Sequence, residues 1–157
     1  MKIVIKAGIL LLLIWVFAFI GYQAYGTWWN PPAIKKKTEA FLECIQSQKF
    51  DEAVTLFGGS IGYDNWVSDM RKLHDGQGFQ LAAYQNVRAE YDDGSFSTGH
   101  ADLIFEIDGK SITTQAILTF GPGGMPKQVC AITPPGIKQG AIPELEEWNK
   151  LVCGGSF

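Results

Sequence analysis

QLAAYQNVRAEYDDGSFSTGHADLIFEIDGKSITTQAILTF, residues 80–120, alternates apolar and polar side chains for most of its length. Successive side chains on a strand point to opposite faces, so this period of two predicts a sheet with one buried side. The first strand runs from Gln80 to Tyr91 and sets Leu81, Ala83, Val87 and Ala89 against Gln80, Asn86, Arg88 and Glu90. Asp92-Asp93-Gly94-Ser95 is a turn signal. The second strand sets Ala101, Leu103, Phe105 and Ile107 against His100, Asp102, Ile104 and Glu106, then turns at Asp108-Gly109. Ile112, Ala116, Leu118 and Phe120 carry the third strand. Gly121-Pro122-Gly123-Gly124 leads to a short fourth around Gln128 to Ile132. Turns this short make consecutive strands antiparallel neighbours.

Upstream, the apolar spacing is helical. Ile34, Phe41, Leu42 and Ile45 fall on one side of a helix from Ala33 to Lys49. Asp51 is placed to cap a second helix through Phe57, with Gly58-Gly59 as its stop. A third follows Asp64, with Trp66, Val67, Met70 and Leu73 as its buried stripe before Gly76 and Gly78. Pro143 suits the first turn of a last short helix that turns Leu145, Trp148, Leu151 and Val152 inward. The expected fold class is α+β: two to three helices on a curved antiparallel sheet of about four strands, with a short C-terminal helix.

No charged residue occurs between Lys6 and Lys35, and the run AGILLLLIWVFAFIGYQAYGTWW within that gap reads as an N-terminal transmembrane helix. Tyr22, Tyr25, Trp28 and Trp29 crowd its end, where aromatic rings favour the headgroup zone. Lys2, Lys6, the apolar run and Ala24-Tyr25-Gly26 also fit a secretory signal peptide cleaved after Gly26. The anchor reading divides the chain into residues 1–29 and a domain over 30–157 with a C-terminal tail at 134–157, Asn30-Pro31-Pro32 marking the break. It makes membrane lipid the partner of residues 7–29. Lysines on both flanks leave the orientation open, whereas a Cys130–Cys153 disulfide across the tail requires an oxidising compartment. The reading that joins these is a bacterial inner-membrane protein with a periplasmic domain. Cys44, beside Phe41 and Ile45, reads as a small buried hydrophobe.

The phrase FLECIQSQKFDEAVTLF, residues 41–57, followed by a Trp-bearing helix and long paired strands, resembles the nuclear transport factor 2-like, or cystatin-like, superfamily. The resemblance covers Ala33 to about Thr133. It implies a cone between helices and sheet, and pairing through the open side of the sheet. Its membrane-anchored members include assembly proteins of bacterial type IV secretion, which this chain is similar to in layout and exceeds in brevity. Its enzymes, of ketosteroid isomerase and dehydratase type, place an acid, a base or a tyrosine at the mouth of the cone.

Candidate sites follow from the faces. Tyr63, Trp66 and Tyr84 are the residues expected to line a ligand pocket in the cone. His100, Asp102, Ile104, Glu106 and Ile117 are expected on the open face of the sheet, as a surface for a protein partner or a second copy. His100 as a general base is the sharper reading of the same strand, and a solvated or partner-facing acidic set the plainer one. Ser95, Ser97, His100 and Asp102 supply the residue types of a triad without its recognisable geometry. His74 closes a helix, where capping is the ordinary role.

No catalytic residue, metal site or cofactor is expected. Two histidines and three scattered cysteines have no zinc-ligand spacing, and the Gly-rich stretch at 121–124 lacks the Lys-Ser/Thr ending of a phosphate loop. A net charge of −3 argues against nucleic acid. The expected function is a membrane-anchored, exported interaction module serving as an accessory subunit of an envelope complex. The alternatives are a ligand-binding or isomerase-like protein and an envelope inhibitor or immunity-type protein.

Overall fold

The computed structural model describes residues 2–28, 30–58, 62–91, 97–121, 128–133 and 142–153. In chain order its elements are α1 (Lys2–Trp28), α2 (Asn30–Gln46), α3 (Phe50–Leu56), α4 (Tyr63–Gln77), β1 (Gln80–Tyr91), β2 (Ser97–Ile107), β3 (Lys110–Phe120), β4 (Val129–Thr133), a 3₁₀ turn (Pro143–Leu145) and α5 (Glu146–Val152). The strands form one antiparallel sheet in the order β1-β2-β3-β4, which makes the fold α+β as expected.

The β2-β3 hairpin sets the register of the sheet. Asp108 and Gly109 have φ of 49° and 76°, and a two-residue primed turn needs both centres left-handed. Ile107 therefore faces Lys110, and pairing continues without a break to Thr98 and Thr119. Leu103, Phe105, Ala116, Leu118 and Phe120 consequently share the buried face. The helices cover that face. Phe41, Leu42 and Ile45 of α2, Phe50, Ala53 and Val54 of α3, and Trp66, Met70 and Leu73 of α4 join one core with Val129 and Ile132 of β4.

Residues 142–153 complete this core. Trp148 of α5 lies against Phe79 at 5.3 Å and Phe105 at 5.5 Å between ring centroids, and Phe79 meets Phe105 at 5.1 Å. Trp66 donates its indole N–H to the Leu151 carbonyl at 3.1 Å. Leu145, Trp148 and Val152 of the last helical segment are buried as expected, and Leu151 is half-buried. The turns expected at Asp92-Ser95 and over Pro122-Gly124, and tail residues 134–141 and 154–157, lie outside the described residues.

Several expectations are corrected. The helix expected from Ala33 to Lys49 begins at Asn30, since prolines fit a first turn, and ends at Gln46, followed by Gln48 with φ of 60°. Asp51 does not cap α3. Lys49 holds that position without a side-chain bond, while Asp51 reaches Arg71 of α4 at 2.5 Å. The Cys130–Cys153 disulfide is not formed, and all three cysteines are free thiols. Cys153 Sγ donates instead to the Ile132 carbonyl at 2.7 Å, while Cys130 Sγ donates to the Gln128 carbonyl at 3.7 Å. His74 caps no carbonyl of its own helix, and its Nδ1 lies 2.8 Å from the Phe79 carbonyl, joining α4 to the start of β1.

The transmembrane expectation is also unmet over the described residues, among which no helix is long and apolar enough to cross a membrane. The stretch of α1 whose side chains are described without a break is Leu10–Tyr22. Within it Leu11, Trp15 and Phe17 are each about two-thirds exposed, as is Tyr22. The other expected interface residues, Tyr25, Trp28 and Trp29, have side chains outside the described set.

Candidate partner-binding face

Side chains opposite one another in an antiparallel pair sit on the same face about 5 Å apart, so the register converts strand positions into a surface. On the side of the sheet away from the helices, β1, β2 and β3 align in rows. Arg88, His100 and Ile117 form one row, continued to Thr133 of β4. Gln85, Asp102 and Gln115 form the next, followed by Ala83, Ile104 and Thr113, then Gln80, Glu106 and Ser111. The five residues read from sequence as a partner face are thus brought onto one side of the sheet.

Two polar networks hold this surface. Glu90 receives Arg88 Nε at 3.6 Å and His100 Nε2 at 3.5 Å, and Thr98 Oγ1 lies 3.3 Å from the same imidazole nitrogen. Asp102 accepts a bond from Asn86 Nδ2 at 2.7 Å. Asn86 reaches it because β1 bulges between Gln85 and Arg88, where Asn86 takes φ of 55°, a conformation asparagine tolerates better than most residues. A shallow depression of about 170 Å³ opens between the first two rows, lined by Arg88, His100, Asp102, Gln115 and Ile117 over Ala101 and Ala116. His100 is only 16% exposed beneath these neighbours, while Glu90 beside it is 61% exposed.

Gln115 belongs to this face and escapes sequence reasoning, whereas Asn86, Arg88 and Glu90 are read on the polar side of β1 without being counted among the partner-face residues. Gln115 was recoverable, because a two-residue turn at Asp108-Gly109 fixes its pairing with Asp102. The partners of the β1 residues across β2 were not, because two bulges shift the β1-β2 register. The first bulge also reverses one expectation: Ala83, read as inward, pairs with Ile104 on the open side, while Tyr84 pairs with Leu103 on the helix side, where the cone reading put it.

The residues expected to line the cone have different settings. Trp66 has no exposed surface, sits 5.5 Å from Phe57, and spends its polar atom on Leu151. Tyr84 is partly buried; that burial, followed by the charges of Glu43 and Glu39, raises its phenol above the ordinary 10.0. The side chain of Tyr63, the first residue of α4, lies outside the described set, as does Ser95. Among the described residues no group of three or more His, Cys, Asp or Glu side chains is arranged to hold a metal ion.

Compared with known proteins, the chain matches no family model and has no sequence match among curated proteins.

Proposed function

We propose that this chain is a membrane-tethered interaction module, an accessory or assembly subunit of a bacterial envelope complex, without catalysis of its own. The observation that carries the proposal is the open face: Ile104 and Ile117 lie half-buried on the side of the sheet away from the helices, among carboxylates, His100 and Arg88. Apolar residues rimmed by charge suit protein contact, the first for burial and the second for choice of partner. The layered arrangement of helices on one side of an antiparallel sheet supports the likeness to nuclear transport factor 2-like domains. On that likeness the occupant of the face is a protein partner or a second copy.

Exposed Leu10–Tyr22 supports the tether, since an uncovered apolar run of this kind needs lipid or protein around it. The full anchor then draws on residues 7–29, with the domain on the periplasmic side. The cone has less behind it as a ligand site, because Trp66 is committed to the core.

A photo-cross-linking residue placed at Ile104 or Ile117 of the full chain, in native membranes, tests the reading. We expect a discrete adduct, of twice the chain mass for a second copy or of another mass for a distinct partner. The same probe at Lys72, exposed on α4, should give none. Absence of adducts at both sheet positions, or equal adducts at Lys72, would overturn the proposal.

A further inference from the structure

All 16 aspartates and glutamates lie beyond Lys37, whereas five of the 13 lysines and arginines lie at or before it. The chain therefore divides at the start of α2 into a positive segment and a strongly negative remainder. Lys35, Lys36 and Lys37 stand at that division, and the structure shows how they are presented. Ile34 and Thr38 have no exposed surface, which fixes the side of α2 turned to the sheet. Lys35 and Lys36 are exposed on the outer side and Lys37 lies at its flank. The ion pair of Lys35 with Glu39 is long at 3.8 Å and about half exposed at both ends, so it competes weakly with another anion.

We propose that Lys35, Lys36 and Lys37 form a docking collar for the anionic headgroups of the bilayer that holds α1. The inference rests on the tethered reading above and adds the chemical class of lipid that α2 meets. Lys35 stands about 8 Å along the axis from Asn30, within the roughly 10 Å over which surface charge acts at ordinary ionic strength. Flexible lysine stems extend that reach, and planar recognition is not needed for a diffuse negative surface. The acidic body of the domain is repelled by the same surface. Attraction at one end of α2 and repulsion from the acidic body stand the domain off the membrane, with the collar as its electrostatic foot.

Lysine acylation read by mass spectrometry tests this on the full chain reconstituted into two kinds of vesicle, pure phosphatidylcholine and a mixture containing about one third phosphatidylserine. Lys110 and Lys150 serve as internal references. We expect labelling of Lys35 and Lys36 to fall about fivefold or more in the anionic vesicles, and to recover in high salt, with the references unchanged; fivefold is the factor expected for one lysine near such a surface. Equal labelling in both vesicles would overturn the collar, and so would equal protection by inorganic phosphate added to the neutral vesicles. A chain that stays in the aqueous fraction with neutral vesicles would instead overturn the tether, a separate outcome read by flotation before labelling.

Discussion

Strand β2 carries two proteins' worth of chemistry on one backbone. Its odd-numbered residues, Ala101, Leu103, Phe105 and Ile107, are sealed under the helices, while its even-numbered residues, His100, Asp102, Ile104 and Glu106, face away from them. The sealed set is uniform and tightly fitted. The open set mixes an imidazole, two carboxylates and an isoleucine, a composition with little value for burial. The difference teaches where stability and recognition are kept apart: a change on one side of the strand should act on folding, and a change on the other on contacts alone.

Substitution at adjacent positions gives the largest contrast. Phe105→Ala removes a ring packed between Phe79 and Trp148, and should cost about 3–5 kcal/mol in urea unfolding. Glu106→Ala, on the exposed neighbour, should stay within about 0.5 kcal/mol. Comparable losses for the two would break the two-sided account.

Gly99 gives the next effect. A Cβ there would lie 2.0 Å from Thr38 Oγ1 and 3.1 Å from Thr38 Cβ, so Gly99→Ala should destabilise by about 1–3 kcal/mol. Adding Thr38→Ala should return part of that loss, a coupling that a double-mutant cycle reads directly. The hydroxyl of Thr38 is itself buried without a partner among the described residues, which makes Thr38→Val mildly stabilising, by about 1 kcal/mol.

Asn86 tests the open side. Asn86→Ala puts a Cβ-restricted residue at φ of 55° and removes the bond to Asp102, for about 1–2 kcal/mol, whereas Asn86→Gly keeps the backbone freedom and should lose less. If glycine is the worse of the two, the side-chain bond outweighs the backbone conformation.

The smallest effect is the pH response of Cys153. Burial raises its thiol above the ordinary 9.0, so the folded state holds the proton longer than the unfolded chain. Stability from this group is fully present below pH 9 and falls as pH rises through and beyond that value. Cys153→Ala should flatten the alkaline fall seen by chemical denaturation between pH 8 and pH 10. A steeper fall in the variant would reverse the assignment.

The sequence disclosed the sheet because its alternation is strong and its central turn admits one register. Gln80 to Tyr91 and the burial of Phe105, Leu118 and Trp148 were all legible for that reason. Facing was lost at Ala83 of β1, where the bulge after Leu81 resets the alternation that pattern reading depends on and turns this residue to the open side. The caps were lost for another reason. Asp51 has the residue type of a cap, yet its tertiary partner Arg71 comes from twenty residues away, which no local pattern contains. The cysteines failed likewise: their spacing allowed a bridge, but the thiol of Cys153 engages the Ile132 carbonyl. The open face was legible as a list of residues, and its networks were not, since Glu90 and His100 meet only across strands.

The bond from Trp66 to Leu151 joins residues 85 positions apart, around a hairpin whose own contacts are local. Closing so long a loop costs entropy before any packing returns it, so this step belongs late in folding. The β2-β3 hairpin is able to form early and unaided by comparison. In a refolding experiment, strand signal by far-ultraviolet dichroism should therefore precede the tryptophan signal of the Trp66 and Trp148 environments. Between those two events the chain has a sheet whose apolar side is uncovered, and the time spent there sets its exposure to aggregation.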